Sequence, residues 1–197
     1  MAMKRVSEIE EENINTRERT PALAPVKEDD DVVYVVISGE EKGGNRSMDA
    51  LLWTLKNEVA EIFLVHVFPE IRFIPTPLGK LPINQANPEQ KQILMEQERN
   101  KRREYLFKFL NLCSESKVKV DTILIESDME AKAILDLIPI LNIKKLILGS
   151  PTKSSLKKLI KLRRKENGVA DKVFDKAPHF CQVKIICQGK EISKSIG

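Results

Sequence analysis

The sequence predicts an α/β fold built on a doubly wound parallel sheet of five strands. Along residues 32–190, short apolar segments rich in β-branched residues alternate with segments of helical periodicity. The first apolar segment, Val32 to Ile37, is apolar throughout, as in a central strand that is buried on both faces. Strands joined by helices pair in parallel, and right-handed crossovers then give the strand order 3-2-1-4-5 with two helices on each face.

The first two strands enclose one helix. Glycines predict a loop over residues 38–46, and apolar residues at helical spacing predict that a helix follows, with Asn45 or Ser47 as its N-cap. The second strand is predicted over Glu61 to Phe68. Prolines and a glycine predict that residues 69–82 form a long extended loop.

The middle of the chain contains a helix, a strand and the start of another helix. Asn87-Pro88 combines a capping side chain with proline at the first helical position, which predicts a helix from there to about Cys113. A third strand is predicted over Val118 to Ile125. The segment Ser127 to Glu130 matches a capping box, in which the side chains of the first and fourth residues satisfy free helix amides, so a helix should begin there.

The remaining elements complete the predicted sheet. A fourth strand, Lys145 to Leu148, is ended by Gly149, and a short helix is predicted near Val169 to Lys176. The fifth strand is predicted over Cys181 to Cys187. In the predicted order this strand forms an edge of the sheet, where only Lys184 guards the unpaired backbone groups.

Charge separates a tail from the domain. Residues 1–31 carry nine acidic and five basic side chains and little apolar content, so we expect a disordered acidic N-terminal tail. The domain is predicted over residues 32–190, and a C-terminal tail over residues 191–197. A net charge of +4 gives no reason to expect a nucleic-acid partner. The chain shows neither a membrane span nor a secretory signal, and the expected location is the cytoplasm or the nucleus.

The residue types needed for catalysis or metal binding are scarce. The three cysteines, Cys113, Cys181 and Cys187, form no CxxC pair, and we interpret them as reduced, packed thiols. The chain has only two histidines, His66 and His179, so we expect no His-rich metal site. His66 follows an apolar strand, and no nucleophile motif accompanies it. We therefore predict no catalytic residue and no metal ligand.

A ligand of such a sheet would lie past the carboxyl ends of the strands. There, Leu148 to Thr152 has a glycine and small hydroxyl residues that could bring backbone amides close to a phosphate; the alternative is a plain turn. Next, residues 153–165 carry seven basic side chains and no acidic one. They could contact phosphate or an acidic partner, or they could form a solvated loop.

Six segments of the sequence resemble a known family. They are Val33–Gly39, Ser47–Leu55, Leu64–Val67, Ser127–Ile134, Leu146–Ser150 and Ala177–Val183. In order, they are similar to the first strand, first helix, second strand, third-helix start, fourth strand and fifth strand of universal stress protein domains. The resemblance covers about residues 32–190 and implies a three-layer sandwich like that of the adenine nucleotide alpha hydrolase-like proteins.

Two further segments, Thr76–Pro82 and Ile185–Lys190, are similar to the plant version of the domain, which lies at the N-terminus of plant U-box ubiquitin ligases and receptor-like kinases. This resemblance implies a non-catalytic regulatory or interaction module, either as a short protein or as part of a longer ligase. It also implies a protein partner, a second domain of the same chain, or a homodimer through the fifth strand. The alternative for that edge is that residues 188–197 fold over it.

Universal stress proteins divide into nucleotide binders and non-binders. The binders have an Asp at the end of the first strand and a G-x-x-G-(nine residues)-G-[ST] stretch after the fourth. Here Ser38 stands at the Asp position, Gly149 matches the first glycine, Thr152 stands at the second, and Gly168 followed by Val169 is the best match for the last.

The resemblance implies that a bound nucleotide would contact the residues at these positions and their neighbours. They are Ser38, Val67, Gly149, Ser150, Thr152, Lys153, Ser154, Gly168 and Val169. Because Thr152 has a Cβ and resists positive φ, a tight phosphate cradle is disfavoured there. We expect no cofactor, or ATP bound weakly; the alternative function is an ATP-binding stress-response switch.

Overall fold

The computed structural model describes residues 32–57, 59–77, 79–150 and 168–192, without the side chains of residues 40–44. The predicted acidic tail, the basic segment 153–165 and the last five residues lie outside the described residues.

Eight strands and four α-helices make up the described part of the chain. The strands are β1 (Val32–Ile37), β2 (Glu61–Phe68), β3 (Phe73–Thr76), β4 (Gly79–Pro82), β5 (Lys119–Glu126), β6 (Lys145–Gly149), β7 (Gln182–Cys187) and β8 (Lys190–Ile192). The helices are α1 (Glu40–Leu55), α2 (Pro88–Glu115), α3 (Glu130–Ile140) and α4 (Val169–Lys176), and a 3-10 turn covers Ile83–Gln85.

The main sheet has the order β5-β2-β1-β6-β7-β8. Its first five strands are parallel and lie in the order that the sequence predicts. The sixth strand, β8, is antiparallel to β7, so the predicted count of five strands is wrong by one. The α/β class with a mostly parallel central sheet is confirmed.

β1 lies at the centre of the sheet and is buried on both faces, as its apolar sequence predicts. On one face, Val33, Val35 and Ile37 pack against α1 and α2. On the other face, Val36 packs with residues of α3 and α4. Two helices therefore cover each face, and the core is divided into two layers by the sheet.

The loop predicted over residues 38–46 is shorter than expected, because α1 begins at Glu40 with Gly39 as its N-cap. Two glycines in the first turns of α1 disfavour helix formation by about 1 kcal/mol each. These turns nevertheless form, because they extend the rest of α1, which tertiary packing holds in place. Neither Asn45 nor Ser47 caps the helix. The hydroxyl of Ser47 instead accepts a hydrogen bond of 3.0 Å from the backbone N–H of Ser38.

Residues 69–82, predicted to be an extended loop, contain the antiparallel hairpin β3–β4. Gly79, at φ 129°, lies in the region that favours glycine, and the Thr76 hydroxyl donates to its carbonyl over 2.9 Å. The prolines misled the prediction because a two-stranded ribbon has two free edges, where a missing N–H breaks no ladder hydrogen bond.

The helix predicted from Asn87-Pro88 is confirmed as α2, whose N-cap side chain accepts from the N–H of Gln90 over 2.7 Å. Its buried residues lie mainly between Tyr105 and Cys113, and Leu94 is the buried residue of its first half. Packing against the core is therefore concentrated in the second half of this 28-residue helix.

The capping box predicted over Ser127 to Glu130 is wrong. The helix α3 begins at Glu130, two residues later than a Ser127 N-cap would place it, and no side chain caps it. The Ser127 hydroxyl accepts from the N–H of Met129 in a tight turn, while the Glu130 carboxylate accepts a hydrogen bond from Ser38. Both side chains thus have partners that local sequence spacing does not reveal.

The edge of β7 that we expected to be unpaired is covered over half its length by β8. Ile185, Ile186 and Cys187 pair with Ile192, Glu191 and Lys190. The Lys184 ammonium forms an ion pair of 3.2 Å with Glu191, which joins the two strands further. Homodimerisation through the fifth strand remains a proposal, and these pairings leave less of the β7 edge for it.

Gly149, at the end of β6, lies against the backbone of α1. A Cβ built on it would lie 2.2 Å from the carbonyl oxygen of Arg46 and 2.5 Å from the carbonyl carbon. The glycine is therefore explained by the approach of a helix to a strand, with no phosphate needed.

Replacing Gly149 by Ala is expected to lower the free energy of unfolding by about 1–3 kcal/mol, because the added Cβ overpacks the α1–β6 contact. Urea denaturation measures the difference. Gly168→Ala is the matched control, since the nearest atom to its Cβ is 3.9 Å away, and it should change stability by less than about 1 kcal/mol. Equal stabilities of Gly149→Ala and the parent would contradict the close approach.

Candidate functional site

The carboxyl ends of β1, β2 and β6 meet at one edge of the sheet, because the three strands are parallel and adjacent. Ser38 follows β1, Val67 lies near the end of β2, and Gly149 ends β6. The structure thus brings three of the predicted site residues to the same edge, as expected at the crevice of a doubly wound sheet.

Ser38 is held by three hydrogen bonds from three helices. Its N–H donates to the Ser47 hydroxyl of α1 over 3.0 Å, and its carbonyl accepts from the Tyr105 hydroxyl of α2 over 2.6 Å. Its own hydroxyl donates to Glu130 Oε1 of α3 over 3.2 Å. The backbone and side-chain polar groups of Ser38 are therefore all paired within the chain.

The partner of the Ser38 hydroxyl, Glu130, is the first residue of α3. The free amides and the positive end of the helix dipole favour a carboxylate in this position. The carboxylate is half-buried and lies within hydrogen-bond distance of the end of β1. It brings a carboxylate to this part of the crevice.

His66, on β2, is buried beside the same strand end. A carbonyl can only accept, so its Nδ1 carries a hydrogen and donates to the carbonyl of Ile37 over 2.7 Å. Its ring lies 5.8 Å from that of Tyr105, centroid to centroid. Burial lowers the pKa of His66; the Ile37 carbonyl raises it in part, and the positive charge of Arg102 lowers it further.

The next predicted residue, Ser150, is 7% exposed, and its N–H donates to the carbonyl of Ile186 over 2.7 Å. This amide, which could otherwise face a phosphate, is thus part of the β6–β7 interaction. Val67 pairs with Ile125 in the sheet and packs in the α3–α4 layer.

Gly168 is the N-cap of α4, and Val169 packs partly against the core of the α3–α4 face. Both are backbone and packing positions in the described structure. The other predicted residues, Thr152, Lys153 and Ser154, lie outside the described residues.

A shallow, open depression lies nearby, past the ends of β2 and β5. Arg72 crosses it and forms ion pairs with Glu70, over 3.1 Å, and with Asp128. Asp128 also accepts from the N–H of Glu70 over 3.3 Å. One guanidinium is thus shared between two carboxylates, and exposed pairs of this kind contribute little to stability.

The described residues contain no cluster of three or more His, Cys, Asp or Glu side chains that could hold a metal ion. All three cysteines are buried, and burial raises the pKa of Cys113 and of Cys181 to about 11. Thiols with such a pKa are protonated at neutral pH and are poor nucleophiles.

Sequence reasoning missed three residues around Ser38. The sequence predicts capping roles for Ser47 and Glu130, and it does not distinguish Tyr105 from the other residues of the helix that begins at Asn87-Pro88. A polar hydroxyl in an otherwise apolar stripe and a carboxylate in the first turn after the third strand are the signals that could have indicated them.

Two curated relatives are plant proteins. The chain is 27% identical over 161 residues to U-box domain-containing protein 33 of Arabidopsis thaliana, covering 81% of this chain and 19% of that protein. It is 28% identical over 171 residues to U-box domain-containing protein 54, covering 84% and 51%. The chain thus spans between a fifth and a half of the length of these relatives. No family model matches the sequence.

Solved structures share the fold. A universal stress protein family protein from Arabidopsis thaliana, solved with AMP bound, has a TM-score of 0.52 at 20% identity, covering 80% of this chain and 91% of that chain. A hypothetical protein whose biochemical function was assigned from its structure has a TM-score of 0.52 at 15% identity, covering 78% and 94%. The chain has the universal stress protein fold, as its sequence segments predict.

The stability of the protein is expected to fall below pH 6.5 through His66. Its pKa is lower in the folded state than its ordinary value of 6.5, so the unfolded chain binds more protons in this range. The stabilisation is complete above pH 6.5 and is lost as the pH falls towards the folded-state pKa. His66→Asn keeps a donor for the Ile37 carbonyl without this titration.

Urea denaturation of both proteins from pH 8 to pH 5 measures the effect. The free energy of unfolding of the parent should fall relative to that of His66→Asn below pH 6.5, and the difference should be constant above pH 7. Carboxylates titrate in both proteins, so their contributions cancel in the difference between the two free energies of unfolding. Parallel curves over the whole range would contradict a lowered His66 pKa.

Proposed function

We propose that residues 32–192 form a non-catalytic interaction module of the universal stress protein type with a degenerate nucleotide site. The observation that carries this proposal is that the N–H, the carbonyl and the hydroxyl of Ser38 each have a hydrogen-bond partner within the chain. A ligand acceptor at the end of β1 would have to displace Ser47 or Glu130, because the N–H and the hydroxyl hydrogen of Ser38 are already donated to them. An unmade hydrogen bond of a buried group costs about 1–3 kcal/mol, so displacement opposes binding.

Charge supports the same proposal. Glu130 places a carboxylate in the crevice, where a nucleotide would bring phosphates of the same sign. Like charges repel one another across such a crevice, and salt weakens the repulsion. Ser38 itself is neutral, so its hydroxyl is only a weak substitute for the Asp that nucleotide binders have at the end of the first strand.

The phosphate side of the crevice supports it as well. The amide of Ser150 donates to Ile186, and Gly149 is required by the Arg46 carbonyl. The two residues therefore have structural roles that do not depend on a ligand. A phosphate cradle needs amides that are free to point at the anion.

A plant context follows from the relatives. U-box domain-containing proteins 33 and 54 match most of this chain over part of their own length. We propose that the module accompanies ubiquitin-ligase machinery as a partner-binding domain, in cis or in trans, and works in the cytoplasm or nucleus. None of the described helices is long and apolar enough to cross a membrane.

The second candidate function is an ATP-binding switch. It is favoured by the shared fold of the Arabidopsis protein that was solved with AMP. It would use Ser38 and Gly149 together with residues 152–154 and Gly168. In that case the Glu130 carboxylate would have to move from Ser38 or accept a hydroxyl or amine of the nucleoside.

Isothermal titration with ATP and Mg²⁺, and in parallel with AMP, tests the proposal. We expect no dissociation constant below about 10 μM, which corresponds to roughly −7 kcal/mol. Tighter binding of either nucleotide would overturn the degenerate site and favour the switch.

Glu130→Gln is the matched variant, because it keeps a side-chain acceptor for Ser38 and removes the charge. If the carboxylate repels phosphates, this variant should bind ATP more tightly than the parent and adenosine equally well. An unchanged ATP affinity would contradict the role of the charge.

A further inference from the structure

The outer edge of β5 is an unpaired sheet edge in the described structure. β5 pairs with β2 along all eight of its residues and is the terminal strand of the sheet order. The N–H of Ser127 donates to the carbonyl of Phe68 over 2.8 Å, so the odd-numbered residues of this segment direct their backbone groups towards β2. The even-numbered residues therefore direct theirs outwards.

One outward amide is already occupied. The N–H of Thr122, near the middle of the edge, donates to Oδ1 of the neighbouring Asp121 over 2.7 Å. A strand that paired with this edge would have to displace the carboxylate of Asp121. The displaced carboxylate would then lie beside the new backbone hydrogen bonds. Natural sheets block their edges with charged side chains in this way.

Apart from Asp121 and Thr122, the residues between the charged ends of the strand, Lys119 and Glu126, are apolar. Leu124 is 49% exposed, and Ile123 and Ile125 are half-buried. Such a segment, eight residues long and lacking proline and glycine, would be a pairing site without a block.

We propose that β5 is a latent strand-pairing surface for a second copy of this chain, which Asp121 keeps closed. Antiparallel pairing about a two-fold axis at Leu124 places Leu124 of one copy opposite Leu124 of the other. Ile123 then faces Ile125, and Thr122 faces Glu126. The register pairs even-numbered residues with even-numbered residues, so outward N–H and C=O groups meet across the axis.

The opposite end of the sheet supports the choice of β5. There β8 already pairs with Ile185 to Cys187, and β8 itself has three residues, two of them charged. Among the described strands, β5 thus has the longer unpaired edge. The chain closes one sheet edge with a strand of its own and the other with a carboxylate.

Analytical ultracentrifugation at a protein concentration of about 100 μM tests the proposal. At this concentration, most chains would be dimeric if the dimer had a Kd of about 10 μM. The parent should sediment with the mass of one chain, because Asp121 closes β5 and β8 covers half of the β7 edge. Asp121→Val removes the cap and should shift the weight-average mass towards that of two chains. Asp121→Asn is the matched control, because its amide oxygen can still accept from Thr122, and it should remain monomeric.

A second substitution localises the association. Asp121→Val combined with Leu124→Lys should restore the monomer, because two lysines would face each other across the axis. Circular dichroism of each variant checks that it is folded. The proposal that β5 is a pairing surface would be overturned by a monomeric Asp121→Val protein or by a double variant that still dimerises. A dimeric Asp121→Asn protein would overturn the capping role of the hydrogen bond, as would a parent that dimerises through β5.

Discussion

The burial of β1 on both faces is the constraint on which the rest of the structure depends. Because its side chains are apolar in both directions, two helices must cover each face of the sheet. The chain then has to leave the strand at the carboxyl edge and turn into α1 within two residues, Ser38 and Gly39. This short exit brings Ser38 beside α1, α2 and α3, and it forces the α1 backbone against Gly149.

Most of the fold could be predicted from the sequence, because the apolar segments that define it and the Asn87 cap are local. Val32 to Ile37, Glu61 to Phe68 and Asn87-Pro88 gave element positions that the structure confirms. The start of α1 and the β3–β4 hairpin could not be predicted, since tertiary packing and an isolated ribbon overrode the glycine and proline signals. β8 was missed because three residues after a turn carry too little periodicity.

The candidate site was predicted less completely than the fold. Position along a strand indicates which residues reach the crevice, as it did for Ser38 and Gly149, but it does not indicate what their polar groups contact. Glu130 and Tyr105 are separated from Ser38 by 92 and 67 residues, and only the folded chain joins them. The role of a glycine at a strand end is equally ambiguous, because the close approach of a helix and that of a phosphate both require a residue without a Cβ.

The uneven packing of α2 has a consequence for local dynamics. A helix of 28 residues is about 42 Å long, whereas an eight-residue strand spans about 27 Å. The helix α2 is therefore longer than the strands of the sheet that it packs against. Its buried side chains between Tyr105 and Cys113 tie the second half to the core, while the first half has Leu94 alone. Amide hydrogens of the first half should therefore exchange with solvent through local fraying, and those of the second half only when the domain opens as a whole. One continuous helix thus belongs to two cooperative units.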